Sequence, residues 1–360
     1  MRSKVLFVIN GLGLGNSTRC HAIIERLADS NAEIEIVTSG NGEWYFQELS
    51  EVSKIHVLKP LQYGKKNGKI SMLRTLGSLG NIIRIIQENK RELSAIIKTF
   101  SPDVVVGDSE YGVGAAKKLG IPLVSLNNSD VVYFAMKKFR KWPKSILPQF
   151  LFVGCMDFLF HQLVPDVVIS PTLDPEIPSS GGKFKRVGPI VRRKFVRPEI
   201  QSHDIRRVLI MLSGSVFGSP VQLEREDYPY LIDIVGRPQP ENWEGSDRVT
   251  YHGKIKNTEN LILDSEVVVV NGGFSAVSEM FFTRTPMVVV PVPRHAEQWI
   301  NARVIEALGV GVMSSETDME EAMRLAAERV EEFRAAYARL PRIEDGARQA
   351  ADIILDLANK

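Results

Sequence analysis

The sequence contains few cysteines and carries little net charge. Only Cys20 and Cys155 occur among 360 residues, too few for a disulfide framework or a cysteine-rich zinc site, so the cytoplasm is the expected compartment. A formal net charge of +2 gives no reason to expect a nucleic-acid partner. The sequence also has no Asp-x-Asp pair for a divalent metal, and we expect neither a metal nor another cofactor.

Targeting segments and long apolar runs are also missing. Val5 to Ile9 is a short apolar run that leads into glycines rather than into a cleavage site, so no secretory signal is expected. The longest apolar segment, Ile146 to Val164, is interrupted by proline, glycine and polar residues, which argues against a membrane span. We expect a core helix of the first domain there; a helix that lies on a membrane or lines a substrate groove is the alternative.

The length and composition of the chain predict two soluble domains. The 360 residues exceed what one hydrophobic core usually serves, and 44% apolar and 24% charged residues are ordinary for a soluble protein. A run rich in Pro, Gly, Lys and Arg separates two sets of predicted strands. We expect a first domain over residues 1–185, a linker over 186–203 and a second domain over 204–341.

One stretch near the C-terminal end carries most of the chemical information. Val267 to Val270 is an unbroken β-branched run, which predicts a strand buried on both faces. Gly272-Gly273 follows where this strand must turn into a helix, and the glycines let backbone N–H groups approach a ligand. Ser275 falls in the first helical turn, where unpaired N–H groups and the helix dipole favour a phosphate. Glu279 shares its helix face, about 6 Å further along the axis.

The next strand adds a second pair of polar residues. Met287 to Val290 is another buried run and ends in the rigid Pro291-Val-Pro293 turn. Glu297-Gln298 therefore emerges near the carboxyl end of a strand, where open α/β sheets bind ligands. Phosphate donors, a ribose acceptor and a polar pair in this order predict a site for a nucleoside diphosphate that carries a sugar.

The motif Asn271-Gly-Gly-Phe-Ser275, followed by Glu279 and then by Glu297-Gln298-x-x-Asn301, is similar to the donor-site signature of GT-B glycosyltransferases. The MurG-type N-acetylglucosaminyltransferases and the UDP-glycosyltransferase superfamily resemble it most. The resemblance implies an α/β fold of two Rossmann-like doubly wound domains that face each other across a cleft. It also implies an inverting transfer of a hexosyl group from a nucleoside-diphosphate sugar, with UDP as the expected nucleotide, to a hydroxyl acceptor, lipid-linked acceptors included.

The resemblance assigns roles to individual residues. In that family the residue matching Glu279 holds the ribose, those matching Gly273 and Ser275 hold the diphosphate, and those matching Glu297 and Gln298 hold the sugar. The expected donor-binding residues are Ser213, Gly214, Ser215, Ile255, Asn271, Gly272, Gly273, Phe274, Ser275, Glu279, Glu297 and Gln298. Many plant and animal members have histidine where this chain has Asn271.

A glycine-rich loop follows the first predicted strand, Lys4 to Ile9. Its glycines are spaced G-x-G-x-G rather than G-x-G-x-x-G, which disfavours a dinucleotide oxidoreductase. Many members of the resembled family carry here a histidine that deprotonates the acceptor, but this chain has Asn16. The expected acceptor-side loop residues are Gly13, Gly15 and Arg19, where Arg19 either meets an anionic substrate group or forms a salt bridge within the loop.

Two further strands place carboxylates at the same edge of the sheet. Asp103 to Asp108 and Ile121 to Asn128 predict neighbouring strands whose ends carry Asp108, Glu110 and Asn127. Because Asn16 cannot accept a proton, we predict that Asp108 is the catalytic base, with Glu110 as the next candidate. The alternative is a purely structural role, in which Asp108 caps a helix.

The remaining predicted elements complete the outline. Strands are expected at Ile34–Thr38, Asp166–Ser170 as the last of the first domain, Arg207–Leu212, Leu231–Val235 and Val249–Ile255, and helices at about Met72–Thr99, Gly112–Gly120, Glu316–Leu340 and Gly346–Ala358. The resemblance implies that a C-terminal helix over 342–360 packs back on the first domain.

Two rival functions stay open. A sugar-nucleotide epimerase shares this architecture, and Asp108 and Glu110 could supply its acid and base. A non-catalytic nucleotide-sugar-binding subunit that acts beside a membrane partner is favoured by Asn16. A peripheral contact with a membrane is compatible with either rival and with the transferase.

Overall fold

The computed structural model describes residues 2–60, 65–66, 69–70, 79–139, 141–195, 206–212, 220–221, 223 and 227–360, with the backbone alone at 65–66, 69–70, 79–83 and 111. Within these residues the strands are β1 Lys4–Ile9, β2 Glu33–Thr38, β3 Lys54–Val57, β4 Lys65–Lys66, β5 Lys69–Ile70, β6 Val104–Asp108, β7 Leu123–Leu126, β8 Val167–Pro171, β9 Phe184–Val187, β10 Arg207–Met211, β11 Leu231–Val235, β12 Val249–Gly253, β13 Val267–Val270, β14 Met287–Val289 and β15 Gly311–Met313. The principal helices are α1 Leu14–Ala28, α2 Asn41–Phe46, α3 Leu79–Phe100, α4 Gly114–Lys118, α5 Ser129–Lys138, α6 Cys155–Leu163, α7 Glu259–Leu263, α8 Phe274–Phe282, α9 Ala296–Ala307, α10 Met319–Glu328, α11 Val330–Arg339 and α12 Gly346–Ala358.

The chain forms two compact units. The first comprises Met1–Phe134, Cys155–Arg192 and Glu344–Lys360, and the second comprises Ala135–Gly154 and Arg193–Ile343. This division differs from the predicted boundaries at Ala135–Gly154, which the sequence had placed inside the first domain. That segment packs with the second unit because it makes tertiary contacts with α9, which no local pattern reveals.

The first unit is built on a parallel sheet. Among the described residues its strand order is β3-β2-β1-β6-β7-β8-β9. The apolar residues of β1 and β6 are buried, as expected of parallel strands that are covered on both faces. The register pairs Ile9 with Asp108 and Asp108 with Leu126. The carboxyl ends of β1, β6 and β7 therefore meet at one edge, as the sequence predicted.

Helices cover both faces of this sheet. On one face, α1 and α12 share a buried cluster with β1 and β6, to which α12 contributes Ala350, Ala351 and Ile354. On the other face, Leu93 and Ile97 of α3 pack against β1 and β6 residues of the opposite alternation. The C-terminal helix thus completes the core of the first unit.

The second unit repeats the same plan. Its parallel sheet has the order β12-β11-β10-β13-β14-β15 within the described residues, and Val267–Val270 of β13 is buried along its whole length. Met323 and Phe333, from α10 and α11, close one face of the core. As in the first unit, parallel β13 and β14 end at the same edge of the sheet.

Several predicted elements are confirmed and others are wrong. The strands Lys4–Ile9 and Leu231–Val235 and the helix Gly346–Ala358 have the predicted bounds. Asp166–Ser170 is not the last strand of the first sheet, because β9 pairs with β8 beyond it. The single helix predicted over Glu316–Leu340 is two helices, α10 and α11, since Arg329 leaves the helical conformation between them. The predicted start of the long helix at Met72 lies outside the described residues.

The long apolar segment is helical, but it is not a core helix. Lys144–Leu163 consists of a 3₁₀ turn, a short α-helical turn, a π-helical turn at Phe150–Gly154 and α6. By length and composition alone it could cross a membrane, with a mean hydropathy of 1.3, and only 11% of that window is buried. The core-helix prediction is therefore wrong for most of the segment. Six of its large apolar side chains are exposed, although Ile146 is buried and Phe160 packs against the core of the first unit.

Candidate functional site

The glycine loop after β1 is held against the residues that precede α2. A Cβ atom at position 11 would overlap the carbonyl oxygen of Ser39, so this position requires glycine. Asn10 Oδ1 accepts a hydrogen bond from the backbone N–H of Leu12 at 3.0 Å. Gly13 and Gly15 are exposed at the start of α1, so the loop presents them to solvent at the carboxyl edge of the first sheet.

Asn16, where the resembled family often has histidine, supports this loop. Its side chain is half-buried, and Nδ2 donates to the carbonyl of Asn10 at 3.3 Å. An amide cannot take a proton at neutral pH, so the structure gives Asn16 a conformational role rather than that of a base.

Arg19 and Asp108 form a buried ion pair. Arg19 Nε donates to Asp108 Oδ2 at 2.9 Å, and a terminal guanidinium nitrogen donates to Oδ1 at 2.5 Å. Cys20 Sγ donates to Oδ2 and Ser109 Oγ donates to Oδ1. Arg19 therefore forms a salt bridge, but its partner is Asp108 at the end of β6 and not a residue of the glycine loop.

This geometry opposes the prediction that Asp108 is the catalytic base. Each of its carboxylate oxygens already accepts two hydrogen bonds, and the side chain is 0% exposed. A base must reach the acceptor hydroxyl at hydrogen-bond distance, which this carboxylate cannot do in the observed arrangement. Asp108 is instead a positioning residue that joins α1 to the end of β6.

Glu110 has the surroundings that Asp108 lacks. Ser109 adopts a left-handed φ of 54° directly after β6, which is uncommon for a residue other than glycine. Glu110 follows it and is half-buried. Burial raises the pKa of its carboxyl above the ordinary value. A half-buried carboxyl with a raised pKa at a sheet edge is a candidate general base.

Asn127 lies near the same edge and has a partner that the sequence did not reveal. Asn127 is buried; its Oδ1 accepts from the Ser129 N–H at 2.6 Å, and its Nδ2 donates to Asp157 Oδ2 at 3.0 Å. Asp157 Oδ1 lies 3.2 Å from Nδ1 of the buried His161 on the same helix. Asp157 and His161 were missed because the contact joins residues 30 positions apart, and no local motif marks it.

In the second unit, two adjacent glycines have different surroundings. A Cβ atom at Gly272 would overlap the carbonyl oxygen of Gln298 and lie 2.9 Å from its Cβ, so close packing of α9 requires this glycine. Gly273 is the N-cap of α8 with a φ of −64°, and no described atom lies within 4 Å of its Cβ position. The space beside Gly273 adjoins the first turn of α8, whose N–H groups point outward along the helix axis.

The start of α9 is tied to this turn by side chains of the motif. Asn301 Nδ2 donates to the carbonyl of Gly272 at 2.8 Å. Gln298 Oε1 accepts from the N–H of Val292 at 2.9 Å. These bonds join the ends of β13 and β14 to α9, so the two parts of the sequence motif form one hydrogen-bonded assembly.

The other motif residues have distinct environments. Glu279 is only 5% exposed, so it is not a solvated helix residue. Phe274 is buried, while Ser275 and Glu297 are half-buried. Asn271 Nδ2 donates to the backbone carbonyl that follows β14 at 2.9 Å, which makes it a link between strand ends.

Two parts of the predicted donor site are less defined. Ser213, Gly214 and Ser215 lie outside the described residues. Ile255 is half-buried two residues after β12. In the same sheet, His252 Nε2 lies 2.7 Å from Asp233 Oδ1, and no local sequence pattern marks this polar pair.

The structure also brings an unexpected segment to the start of α9. Gln149 Oε1 accepts a hydrogen bond from the N–H of Ala296, the first residue of α9, at 3.0 Å. The Phe139 ring lies edge-on to Trp299, with ring centroids 6.3 Å apart. Segment 135–154 is therefore a direct neighbour of the Glu297-Gln298 motif.

The sequence matches a known protein family. The sequence model of glycosyl transferase family 1 matches residues 3–144 and 250–335. The glycine loop, the end of β6 and the Asn271–Glu279 turn all lie within the matched residues.

Individual relatives and a solved structure agree with this match. An uncharacterized glycosyltransferase of Methanosarcina acetivorans is 26% identical over 339 residues, which cover 87% of this chain and 86% of the relative. The UDP-N-acetylglucosamine–N-acetylmuramyl-(pentapeptide) pyrophosphoryl-undecaprenol N-acetylglucosamine transferase of Thermosipho africanus is 23% identical over 281 residues, 73% and 75% of the two chains. A UDP-glucosyltransferase from Polygonum tinctorium superposes with a TM-score of 0.69 at 15% identity, over 100% and 99% of the chains. The structural likeness confirms the predicted fold of two Rossmann-like domains of the GT-B type.

Proposed function

The chain belongs to glycosyl transferase family 1 and is a glycosyltransferase. On that premise we propose that it is an inverting hexosyltransferase, which transfers a hexosyl group from a UDP-sugar to the hydroxyl of a lipid-linked acceptor. In this reaction the acceptor oxygen bonds to the anomeric carbon while the bond from that carbon to the diphosphate breaks. The acceptor proton passes to a carboxylate of the enzyme. The second unit binds the donor and the first unit binds the acceptor.

One observation carries the donor assignment: a buried carboxylate one helical turn beyond an open helix N-terminus. Gly273 leaves room for a diphosphate at the first turn of α8, where backbone N–H groups stabilise negative charge without reorganisation. Glu279 is positioned along the same helix face as Ser275. A carboxylate in that place can accept hydrogen bonds from both ribose hydroxyls, and Glu297 and the Gln298 amide nitrogen are the groups for the sugar.

The base in this proposal is Glu110. Its half-buried carboxyl has a raised pKa, whereas both oxygens of Asp108 are engaged by Arg19 and its neighbours. Loss of a general base typically lowers the rate about 10²–10⁴-fold. Asp108 then serves the reaction indirectly, because its pairing with Arg19 holds the loop that carries Gly13 and Gly15.

Two observations support a lipid-linked acceptor. The segment Lys144–Leu163 exposes apolar side chains, which suits a protein that works at a membrane surface. The Thermosipho africanus relative is named for an undecaprenol-linked acceptor. We extend that acceptor class, a polyprenyl-linked sugar, to this chain.

The test of the function is acceptor-dependent release of nucleotide. The purified chain is incubated with UDP-glucose, UDP-N-acetylglucosamine, UDP-galactose and their dTDP and GDP counterparts, with and without detergent-dispersed polyprenyl-phosphosugar acceptors. A transferase releases nucleoside diphosphate only when the acceptor is present. An epimerase would interconvert the donor without acceptor, and a binding subunit, the reading that Asn16 favours, would bind nucleotide without turnover.

The donor site has its own test. Glu279→Gln should weaken UDP binding at least tenfold by calorimetry, because hydrogen bonds to a charged group are worth about 1.5–3 kcal/mol each. Glu331→Gln, at a side chain 84% exposed, is the matched control and should bind UDP normally. Equal affinity of the two variants would place the nucleotide elsewhere.

Phosphate binding through helix N–H groups also predicts independence from divalent metal. No Asp-x-Asp pair occurs in the sequence, so turnover should persist in excess EDTA. Complete loss with EDTA and recovery with Mg²⁺ or Mn²⁺ would contradict this part of the proposal.

A further inference from the structure

The exposed apolar side chains of the segment Lys144–Leu163 lie largely along one stripe. They are Leu151, Phe152, Val153, Met156, Leu159 and Leu163, which are 55%, 78%, 52%, 61%, 49% and 68% exposed. Positions 152, 156, 159 and 163 are spaced by four, three and four residues and therefore share one helix face. Single exposed leucines are common, but a contiguous apolar stripe on a helix marks a surface that is covered in use.

The polar residues of the segment are engaged with the protein. His161, about half a turn of the helical wheel away from the stripe, is 3% exposed. Asp157 accepts from Asn127, and Gln149 accepts from Ala296. A helix that uses its polar side for tertiary hydrogen bonds cannot also insert across a bilayer, so the stripe would contact a membrane with the helix lying along its surface.

The residues before the stripe are basic. Lys137, Lys138, Lys141 and Lys144 are exposed, and no Asp or Glu occurs between positions 131 and 156. Trp142, 38% exposed, lies among these lysines. Lysine clusters bind anionic lipid headgroups, and tryptophan prefers the boundary between headgroups and hydrocarbon. Exposed lysines next to an exposed apolar stripe therefore supply the two kinds of contact that an anionic bilayer surface offers.

We propose that residues 137–163 form a membrane-docking surface for bilayers with anionic headgroups: the stripe enters the outer hydrocarbon and the lysines contact lipid phosphates. A second copy of this chain fits less well, because pairing the stripes would bring two lysine clusters together. This inference deepens the proposed use of a lipid-linked acceptor. Gln149, at the start of the same segment, accepts a hydrogen bond from the first residue of α9.

The test uses the full chain and vesicles that contain neither donor nor acceptor. In flotation assays the protein should bind phosphatidylcholine vesicles with one quarter phosphatidylglycerol more tightly than pure phosphatidylcholine, and added salt should weaken the difference. Met156→Ser/Leu159→Ser should reduce binding at least tenfold, because both side chains would leave the hydrocarbon. The matched control is Leu119→Ser/Leu325→Ser, at leucines 39% and 42% exposed elsewhere, which should bind normally.

The lysines are tested separately. Lys137→Gln/Lys138→Gln/Lys141→Gln should lose about fivefold in binding per lysine, roughly 100-fold in all, on anionic vesicles and little on neutral ones. The control Lys118→Gln/Arg339→Gln/Arg342→Gln removes the same charge from exposed positions elsewhere and should lose much less.

Three results would overturn the docking surface: no binding to either vesicle, equal losses in the stripe variant and its control, or a stripe-dependent dimer in sedimentation without lipid binding. UDP binding and transfer to a detergent-dispersed acceptor are measured on the same preparations. Failure on vesicles with intact transfer would refute the docking surface alone, whereas vesicle binding without UDP binding would refute the donor proposal alone.

Discussion

At the scale of single residues, the end of β6 separates two carboxylates with opposite surroundings. Asp108 is completely buried and paired with Arg19. Glu110, beyond the left-handed Ser109, is half-buried and has a raised pKa. One residue of unusual backbone geometry therefore separates a buried, ion-paired carboxylate from a half-buried one with a raised pKa, the proposed base.

This division predicts different defects for two similar substitutions. Glu110→Gln should lower kcat at least 100-fold while UDP affinity and unfolding free energy stay near normal. Asp108→Asn should instead lower the free energy of unfolding by about 3 kcal/mol, because Arg19 stays buried without a charge partner. Turnover and urea unfolding of both variants separate the two roles.

The pH dependence of kcat/KM also tests whether Glu110 is the base. The base must be ionised, and the pKa of Glu110 is raised by burial, so kcat/KM should fall as pH drops through a midpoint above the ordinary glutamate value. A stable Asp108→Asn variant without turnover, beside an active Glu110→Gln variant, would return the base to Asp108.

Stability should depend on pH through His21 on α1. Burial, with a smaller contribution from Arg192, lowers the pKa of His21 to about 4, and its Nδ1 lies 2.9 Å from the Tyr45 hydroxyl. Between about pH 6.5 and pH 4 the unfolded chain binds this proton and the folded chain does not, so stability is lost as pH falls through that window. The shift corresponds to about 3 kcal/mol.

The measurement is urea unfolding of the wild type and His21→Gln at pH 7 and pH 4. The variant should lose less stability between the two pH values than the wild type does. Parallel pH profiles for His21→Gln and the wild type would show that His21 is not the group responsible.

At the scale of elements, the turn between β13 and α8 combines a packing glycine with a ligand-facing one. Gly272 is in contact with the start of α9, and Gly273 faces open space within the described residues. The first sets how closely two elements approach, and the second leaves the helix N-terminus accessible. The two adjacent glycines of this motif are therefore needed for different physical reasons.

Alanine at each glycine should separate stability from binding. Gly272→Ala should cost about 1–3 kcal/mol in unfolding free energy, because its Cβ would displace α9. Gly273→Ala has a permitted φ of −64° and should leave stability unchanged or slightly higher, yet weaken UDP binding because the methyl group occupies the phosphate space. Thermal unfolding measures the stability of both variants, and calorimetry measures their affinity for UDP. Normal UDP affinity in Gly273→Ala would argue against phosphate binding at this turn.

At the scale of the whole molecule, each unit has its own core, although the chain passes between them repeatedly. The last helix, α12, completes the first core, where Ala351 is fully buried. Arg26 of α1 also pairs with Asp345 at the start of α12. The first unit is therefore complete only when the C-terminal residues have been made.

Separate cores predict separable stability. Ala351→Asp should lower the unfolding temperature of the first unit strongly, because it buries a charge beside α1. UDP should still raise the transition of the second unit, since its proposed site lies there. Scanning calorimetry with and without UDP measures both unfolding temperatures. The control is Asp352→Ala, at an exposed neighbouring residue. Loss of the UDP effect in Ala351→Asp would mean that donor binding requires the first unit.

Much of the architecture followed from local sequence patterns. Unbroken apolar runs such as Val267–Val270 predicted buried parallel strands, and the order of Gly272, Gly273, Ser275 and Glu279 predicted a strand-to-helix turn with a polar helix face. These features depend on residues a few positions apart, whose periodicity and backbone preferences act before any tertiary contact forms. The same local reasoning placed Asp108 correctly at a strand end.

Tertiary contacts decided what the local patterns left open. Asp108 became a buried structural carboxylate because Arg19, 89 positions away, pairs with it. Most of the apolar segment Lys144–Leu163 is exposed although its composition resembles a core helix, since burial depends on which surfaces the fold has already filled. Gln149 reached α9 across 147 positions. Local sequence determines which elements form, but the pairing of distant side chains and the exposure of an apolar face are set only when the complete chain has packed.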